Sequence, residues 1–138
     1  MTARRAVRIP TAAIRMMVAH ARRARPRECC GLLVGAGSRV AFAVPLRNVA
    51  RSRTRYRVDP AEHIALRRIL REVAPASDIV GVYHSHPAGS ATPSETDVAE
   101  ALYAGWVHVI VGLGGGRPVT RAFTIARGRS RPVTLRRS

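Results

Sequence analysis

Between Tyr83 and Asp97 the chain reads Tyr-His-Ser-His-Pro-Ala-Gly-Ser-Ala-Thr-Pro-Ser-Glu-Thr-Asp, which places two histidines, a hydroxyl and a carboxylate within one strand, one loop and one helix start. His84 and His86 follow the β-branched, apolar run Asp78-Ile79-Val80-Gly81-Val82-Tyr83. Such a run reads as a buried strand, and spacing of two directs both imidazoles to one face at its end. Catalytic zinc commonly takes three ligands from His and carboxylate and keeps a fourth position for water. His84, His86 and Asp97 supply that set, with Asp97 returning from a helix's first turn after a loop bounded by Pro87 and Pro93. The spacing differs from the helical His-Glu-x-x-His arrangement and from a zinc finger. Taken singly, the histidines also read as strand-end polar residues, and Ser94-x-x-Asp97 as a helix cap with an acid near the dipole. Their coincidence in one stretch favours a metal, one zinc ion per chain.

Zinc lowers the pKa of its water toward about 7, but peptide hydrolysis also needs a group that takes the proton and returns it to the leaving amine. The chain has only eight acidic residues. Among them Glu28 stands at the mouth of the apolar run Cys29-Cys30-Gly31-Leu32-Leu33-Val34-Gly35, where an acid has no packing role. Its bland alternative is a solvated residue between a helix and a strand. Ser94 carries two compatible readings, a helix cap and a hydroxyl donor to a carbonyl oxygen on which charge develops.

These residues need elements to hold them. Thr11 reads as the N-cap of a helix running to about Arg25, with Ile14, Met17, Val18 and Ala21 at helical spacing, His20 on its exposed side and Pro26 as its stop. A strand from Glu28 to Gly35 turns through Gly35-Ala36-Gly37 into a second covering about Arg39 to Leu46. Arg47 to Arg55 reads as a loop leading to an extended piece at Tyr56 to Val58. Asp59-Pro60-Ala61-Glu62 then opens a helix with Ile64, Ala65, Ile69, Leu70 and Val73 as apolar positions and His63 on its surface. After the histidine strand, Ser94 opens a helix to about Ala104. Strands follow at Trp106 to Gly112, Thr120 to Ala126 and Pro132 to Leu135, with His108 packed in the first and Leu113 to Gly116 as its turn.

At 138 residues the chain fits one domain with a sizeable core. Net charge is +16, all of the basic residues are arginine, and they are spread along the chain rather than gathered in one block. Aromatic residues make up only 4%, which leaves few stacking platforms for a single-stranded nucleic acid, and an acidic protein suits such a surface equally well. Cys29 and Cys30 are adjacent, so their side chains point to opposite faces of a strand and a disulfide between them would be strained. Buried thiols in a reducing compartment, no apolar run of membrane-spanning length and no signal-type apolar core lead to the expectation of a cytoplasmic protein without membrane contact.

On these positions the sequence resembles the JAMM, or MPN-plus, zinc metalloproteases, whose motif is an upstream glutamate, then His-x-His-Pro, six residues, Ser, two residues and Asp. Every motif position is filled, and Pro26 to Gly35 together with Asn48, Tyr56 and Asp59-Pro60 look like the short bacterial members. The resemblance implies a single JAMM/MPN-like domain over residues 1–138, of mixed α/β class, with a mixed β-sheet flanked by helices. It implies Glu28 as general acid/base, His84, His86 and Asp97 as zinc ligands, Ser94 as the hydroxyl that supports a tetrahedral intermediate, and zinc-bound water as nucleophile. The substrate class it implies is a peptide or isopeptide bond after the C-terminal glycines of a ubiquitin-like or sulfur-carrier protein. The chain is too short for the insertions of ubiquitin-chain specialists. Two alternatives share the fold: a RadC-type DNA-associated protein, whose upstream region looks different from Glu-Cys-Cys-Gly-Leu-Leu, and a non-catalytic MPN scaffold that has lost ligands.

Overall fold

The computed structural model describes residues 6–138. The elements in order are β1 (Ala6–Ile9), α1 (Thr11–Ala24), β2 (Cys30–Ala36), β3 (Arg39–Leu46), α2 (Pro60–Val73), β4 (Asp78–His86), α3 (Glu95–Ala99), β5 (Val107–Gly112), β6 (Val119–Ala126) and β7 (Arg129–Arg137). The strands form one mixed sheet in the order β1-β3-β2-β4-β5-β6-β7, closed into a barrel because β1 pairs in parallel with both β3 and β7. This is the mixed α/β architecture expected from the sequence. The closing strand β1 is new: four residues are too few to show a period.

Alternation along each strand sorts the core onto two faces. Leu33, Tyr83, Val107, Val109 and Val111 join Ile14, Met17 and Ala21 of α1 in one cluster, while Leu32, Val34 and Val82 join Leu66 and Leu70 of α2 in another. His84, two residues beyond Val82, therefore lies on the α2 side. Cys29 packs in the α1 cluster, and both cysteines are free and buried. Burial pushes the Cys29 thiol up to about 11 and the Cys30 thiol up to about 12, so neither is a thiolate at neutral pH.

Several sequence expectations need correction. Thr11 is the first helical residue rather than the N-cap; Pro10 precedes α1, and no side chain caps it. His20 is half-buried rather than exposed, because its Nδ1 lies 2.7 Å from the Tyr83 hydroxyl. On α2 the buried residues are Leu66 and Leu70, whereas Ile64, Ile69 and Val73 are exposed. The helix offers two apolar stripes, and its seat on the sheet chooses between them. Asp59 does cap Ala61 N–H at 2.9 Å, but Glu62 accepts from the Arg47 N–H at 2.6 Å instead of closing a capping box. Finally α3 ends at Ala99, not near Ala104. Glu100 caps it and is held by Arg55, and Tyr103 stacks on Trp106 with ring centroids 4.1 Å apart, so tertiary contacts override helix propensity there.

The loop after His86 is seated on glycines. A Cβ on Gly112 would lie 2.5 Å from Ala91 N and 2.7 Å from the Ser90 carbonyl carbon, both backbone atoms. Arg25 clamps the same loop, donating to the carbonyls of Leu113 at 3.1 Å and Pro87 at 3.4 Å. Gly112→Ala is expected to cost about 1–3 kcal/mol by overpacking, measured as a lower midpoint in urea with an unchanged m-value.

Candidate active site

Pairing between β2 and β4 brings together residues far apart in sequence. The strands run antiparallel with Cys30 opposite His84. The contact continues past the strand, where Ser85 N–H donates to the Cys29 carbonyl at 3.2 Å and Cys29 N–H donates to Ser85 Oγ at 2.9 Å. Glu28, two residues before the Cys30–His84 pair, is thereby carried to the histidine end of β4, where its carboxyl feels both His86 and Asp97. The first hairpin thus lies beside the histidine strand.

His84 Nε2, His86 Nε2 and Asp97 Oδ2 converge, at 3.2 Å between the histidines and at 3.1 and 3.0 Å from them to the carboxylate. Ligands at about 2.0–2.2 Å around a tetrahedral zinc are about 3.3–3.6 Å apart, so the trio need open by only a few tenths of an ångström to take that spacing. The donor chemistry fits as well. His86 Nδ1 lies 2.7 Å from the Ser90 carbonyl oxygen, which can only accept, so Nδ1 carries the hydrogen and Nε2 presents its lone pair to the centre. Two imidazole nitrogens and a carboxylate oxygen form a donor set that suits a cation, and all three residues can reach one ion.

Asp97 is delivered by α3. Its N–H donates to Ser94 Oγ at 3.0 Å, and the Ser94 N–H donates to Asp97 Oδ2 at 2.9 Å, a reciprocal capping box. Ser94 Oγ accepts in that cap, which leaves its hydroxyl hydrogen free. Burial opposes ionisation of Asp97, but the His84 and His86 ring nitrogens 3.1 and 3.0 Å from its Oδ2 outweigh it and hold the carboxyl well below the usual carboxylate range. For His84, burial prevails over Asp97 and lowers the pKa; for His86, burial is outweighed by Asp97 and the Ser90 carbonyl, and the pKa is raised.

Glu28 is only 4% exposed, and its Oε1 is buried with no hydrogen-bond partner. Burial pushes its pKa from 4.5 up to about 8, with His86 pulling it down and Asp97 pushing it up. A carboxyl poised near neutrality beside a cluster of metal-ligand type can hold or release a proton.

Other parts of the site are not legible as such in the sequence. The Tyr56 ring stacks on His84 with centroids 4.3 Å apart and an interplanar angle of 18°. The His84 Nδ1 is buried without a hydrogen bond, so stacking fixes this ring where Ser90 fixes that of His86. Asn48 Nδ2 donates to the carbonyls of Glu28 and Arg55, both at 3.0 Å. In the sequence both residues stand out only through the likeness to the short bacterial members, which gives neither of them a role in the site. Beside Asp97 opens a cavity of about 520 Å³ whose lining includes Tyr56, His63, Trp106 and His108. His63 is thus half-buried at this cavity rather than a plain surface residue. His108 is packed, as expected of it, and burial pushes its pKa down to about 4, with His84 adding to the shift and Asp97 opposing it.

The chain matches the family model described as prokaryotic homologs of the JAB domain over residues 10–126. It is 40% identical over 101 residues to the CysO-cysteine peptidase of Mycobacterium tuberculosis, a match covering 71% of this chain and 67% of the relative. It is 35% identical over 122 residues to a probable TtuB-protein conjugate cleaving protease of Thermus thermophilus, covering 87% of this chain and 76% of that one. The fold is that of a Desulfitobacterium hafniense protein solved in solution, with a TM-score of 0.85, 29% identity and coverage of 96% of this chain and 92% of the other. With the His-His-carboxylate centre and the architecture that builds it, these matches place the chain in the family of prokaryotic JAB-domain homologs.

Proposed function

We propose that the chain is a zinc-dependent metallopeptidase that hydrolyses the bond after the C-terminal glycines of a ubiquitin-like or sulfur-carrier protein, acting as a single domain in the cytoplasm. The observation that carries this reading is the convergence of His84 Nε2, His86 Nε2 and Asp97 Oδ2 beside the buried, unpartnered Oε1 of Glu28. The mycobacterial and Thermus relatives, named for CysO-cysteine and TtuB-protein conjugates, support the substrate class. No helix among the described residues is long and apolar enough to cross a membrane.

His84, His86 and Asp97 would hold the zinc ion. Bound there, zinc would supply Lewis acidity, polarising a carbonyl and making water a better nucleophile near neutral pH. The remaining steps belong to the chain. Glu28 takes a proton from the attacking water and passes it to the departing nitrogen, so one water is consumed and an acid and an amine are released. The free Ser94 hydroxyl hydrogen bonds to the carbonyl oxygen as negative charge grows on it. The Ser90 carbonyl and the Tyr56 ring hold the two imidazoles in place, which limits the reorganisation needed during reaction.

The test is incubation of zinc-loaded protein with CysO bearing a C-terminal cysteine, and with other Gly-Gly-tailed carriers bearing an amino acid or peptide, followed by intact mass. The expected result is loss of the group beyond the second glycine, abolished by a chelator and restored by zinc. Carriers that stay intact with fully metallated protein would overturn the reading.

A further inference from the structure

Arg51, Arg53, Arg55 and Arg57 alternate along the loop between β3 and α2, and all four are exposed. Arg55 is engaged, its guanidinium forming two 3.0 Å bonds to Glu100. Among the described residues Arg51, Arg53 and Arg57 form no ion pair. With 24 basic residues against eight acidic ones, few intramolecular partners exist for them.

A run of exposed arginines is ordinarily a solvated surface. This one differs in being locked to the site. Asn48 ties the loop through four hydrogen bonds: Nδ2 donates to the Glu28 and Arg55 carbonyls, and Oδ1 accepts from Ala50 N–H at 3.0 Å and Arg57 N–H at 2.9 Å. Arg51, at a φ of 49°, takes the left-handed turn that this arrangement requires, and its N–H donates to the Asn48 carbonyl at 3.2 Å. The loop also grips Glu28 a second time, since the Glu28 N–H donates to the Ser52 carbonyl at 2.8 Å. Both backbone polar groups of Glu28 are thus bonded to the segment that carries the arginines, and the same segment carries Tyr56, stacked on His84. Whatever docks on the arginines is placed in register with Glu28 and the histidines, at little ordering cost to the loop.

We infer that the Arg51–Arg57 loop is a preorganised cationic platform that seats a carboxylate-rich face of the folded carrier protein, next to that carrier's tail. The inference rests on the substrate class proposed above and adds the surface that recognises the carrier's body rather than its tail. Two features favour a protein over a nucleic acid. The platform is small, with three uncommitted charges, and it lies beside a site whose donor set fits peptide hydrolysis. Steering by such charges acts mainly on association and weakens with salt.

The experiment is binding of fluorescently labelled CysO ending in its free Gly-Gly tail, measured by anisotropy at 50 and 300 mM NaCl. Arg51→Glu with Arg53→Glu is expected to raise Kd about 10- to 100-fold at the lower salt, with zinc content and melting temperature unchanged. Control reversals on β7, Arg129→Glu with Arg131→Glu, are expected to leave Kd within about twofold, since a local platform and not net charge is at issue. CysO with the carboxylates beside its tail amidated is expected to bind as weakly to wild type as intact CysO binds to the loop variant. Absence of binding to wild type, an unchanged Kd in the loop variant, or an equal loss in the β7 variant would each overturn the inference. So would a 20-base-pair DNA duplex that binds more tightly than CysO at 150 mM salt and loses that affinity in the loop variant, because the surface would then read a phosphate backbone. Cleavage is not the readout, so failure of the hydrolase reading appears separately, as intact carriers in the mass assay with salt-sensitive binding preserved.

Discussion

Glu28→Gln is expected to keep the metal yet lose about 10²–10⁴-fold in cleavage rate, the range attributed to a positioned general acid/base. The substitution is nearly isosteric and retains the backbone bonds to Ser52 and Asn48, so zinc content and fold should persist. A variant that cleaves at the wild-type rate would remove Glu28 from the reaction. The same variant has a second signature, in the metal-free protein. Glu28 has a folded pKa of about 8 against 4.5 ordinarily. Between these values the folded state holds a proton that the unfolded state has released. The slope of stability with pH, proportional to protons bound unfolded minus folded, is then negative. Metal-free wild type therefore loses stability as pH rises from about 4.5 to about 8, by about 1.4 kcal/mol for each step of one in pH across that window. Glutamine removes that titration. The metal-free variant should gain on wild type in urea midpoint from pH 5 to pH 8.5, and parallel curves for the two proteins would show that burial does not perturb Glu28.

His84→Ala with His86→Ala should abolish cleavage and take zinc from about one per chain to less than about 0.1, because two of three protein ligands are gone and one carboxylate is no catalytic zinc site. The effect should also be visible without substrate. A ligand that binds only the folded state stabilises it by about 4 kcal/mol at a thousandfold excess over its Kd. Zinc should raise the melting temperature of chelator-treated wild type and leave the double variant unmoved. Equal zinc shifts in both proteins would place the metal elsewhere. Since the wild-type trio packs nitrogens and a carboxylate within 3.2 Å of one another, removing two imidazoles also frees Asp97, whose pKa is held down by both rings.

His84 and His86 could be placed on one face because strand periodicity is short and strict, and Asp97 because Ser94 announces a helix start through local hydrogen bonding. Both β2 and β3 were legible for the same reason, the hairpin turn at Gly35-Ala36-Gly37 lying between two apolar runs. Local rules failed where neighbours in space decide. The buried face of α2, with Leu66 and Leu70 inside and Ile64 and Ile69 outside, follows from where the helix lands on the sheet. At the early end of α3, Glu100 is held by Arg55, which is 45 residues away in sequence and outside any local signal.

By itself the sequence determined the chemistry available to this protein: two imidazoles, a carboxylate and a hydroxyl at spacings that strand and helix geometry must bring close, and one acid at the mouth of an apolar strand. Tertiary structure alone decided that Glu28 reaches the histidine end of β4, since the Cys30–His84 pairing spans more than fifty intervening residues. It also decided that Tyr56 stacks on His84, that the Ser90 carbonyl sets the His86 tautomer, and that Asn48 ties an arginine loop to the backbone of Glu28. The physical reason is common to all of these. Backbone periodicity acts over a few residues and is written locally, whereas a carboxyl's pKa or a ring's orientation depends on what the fold packs against it.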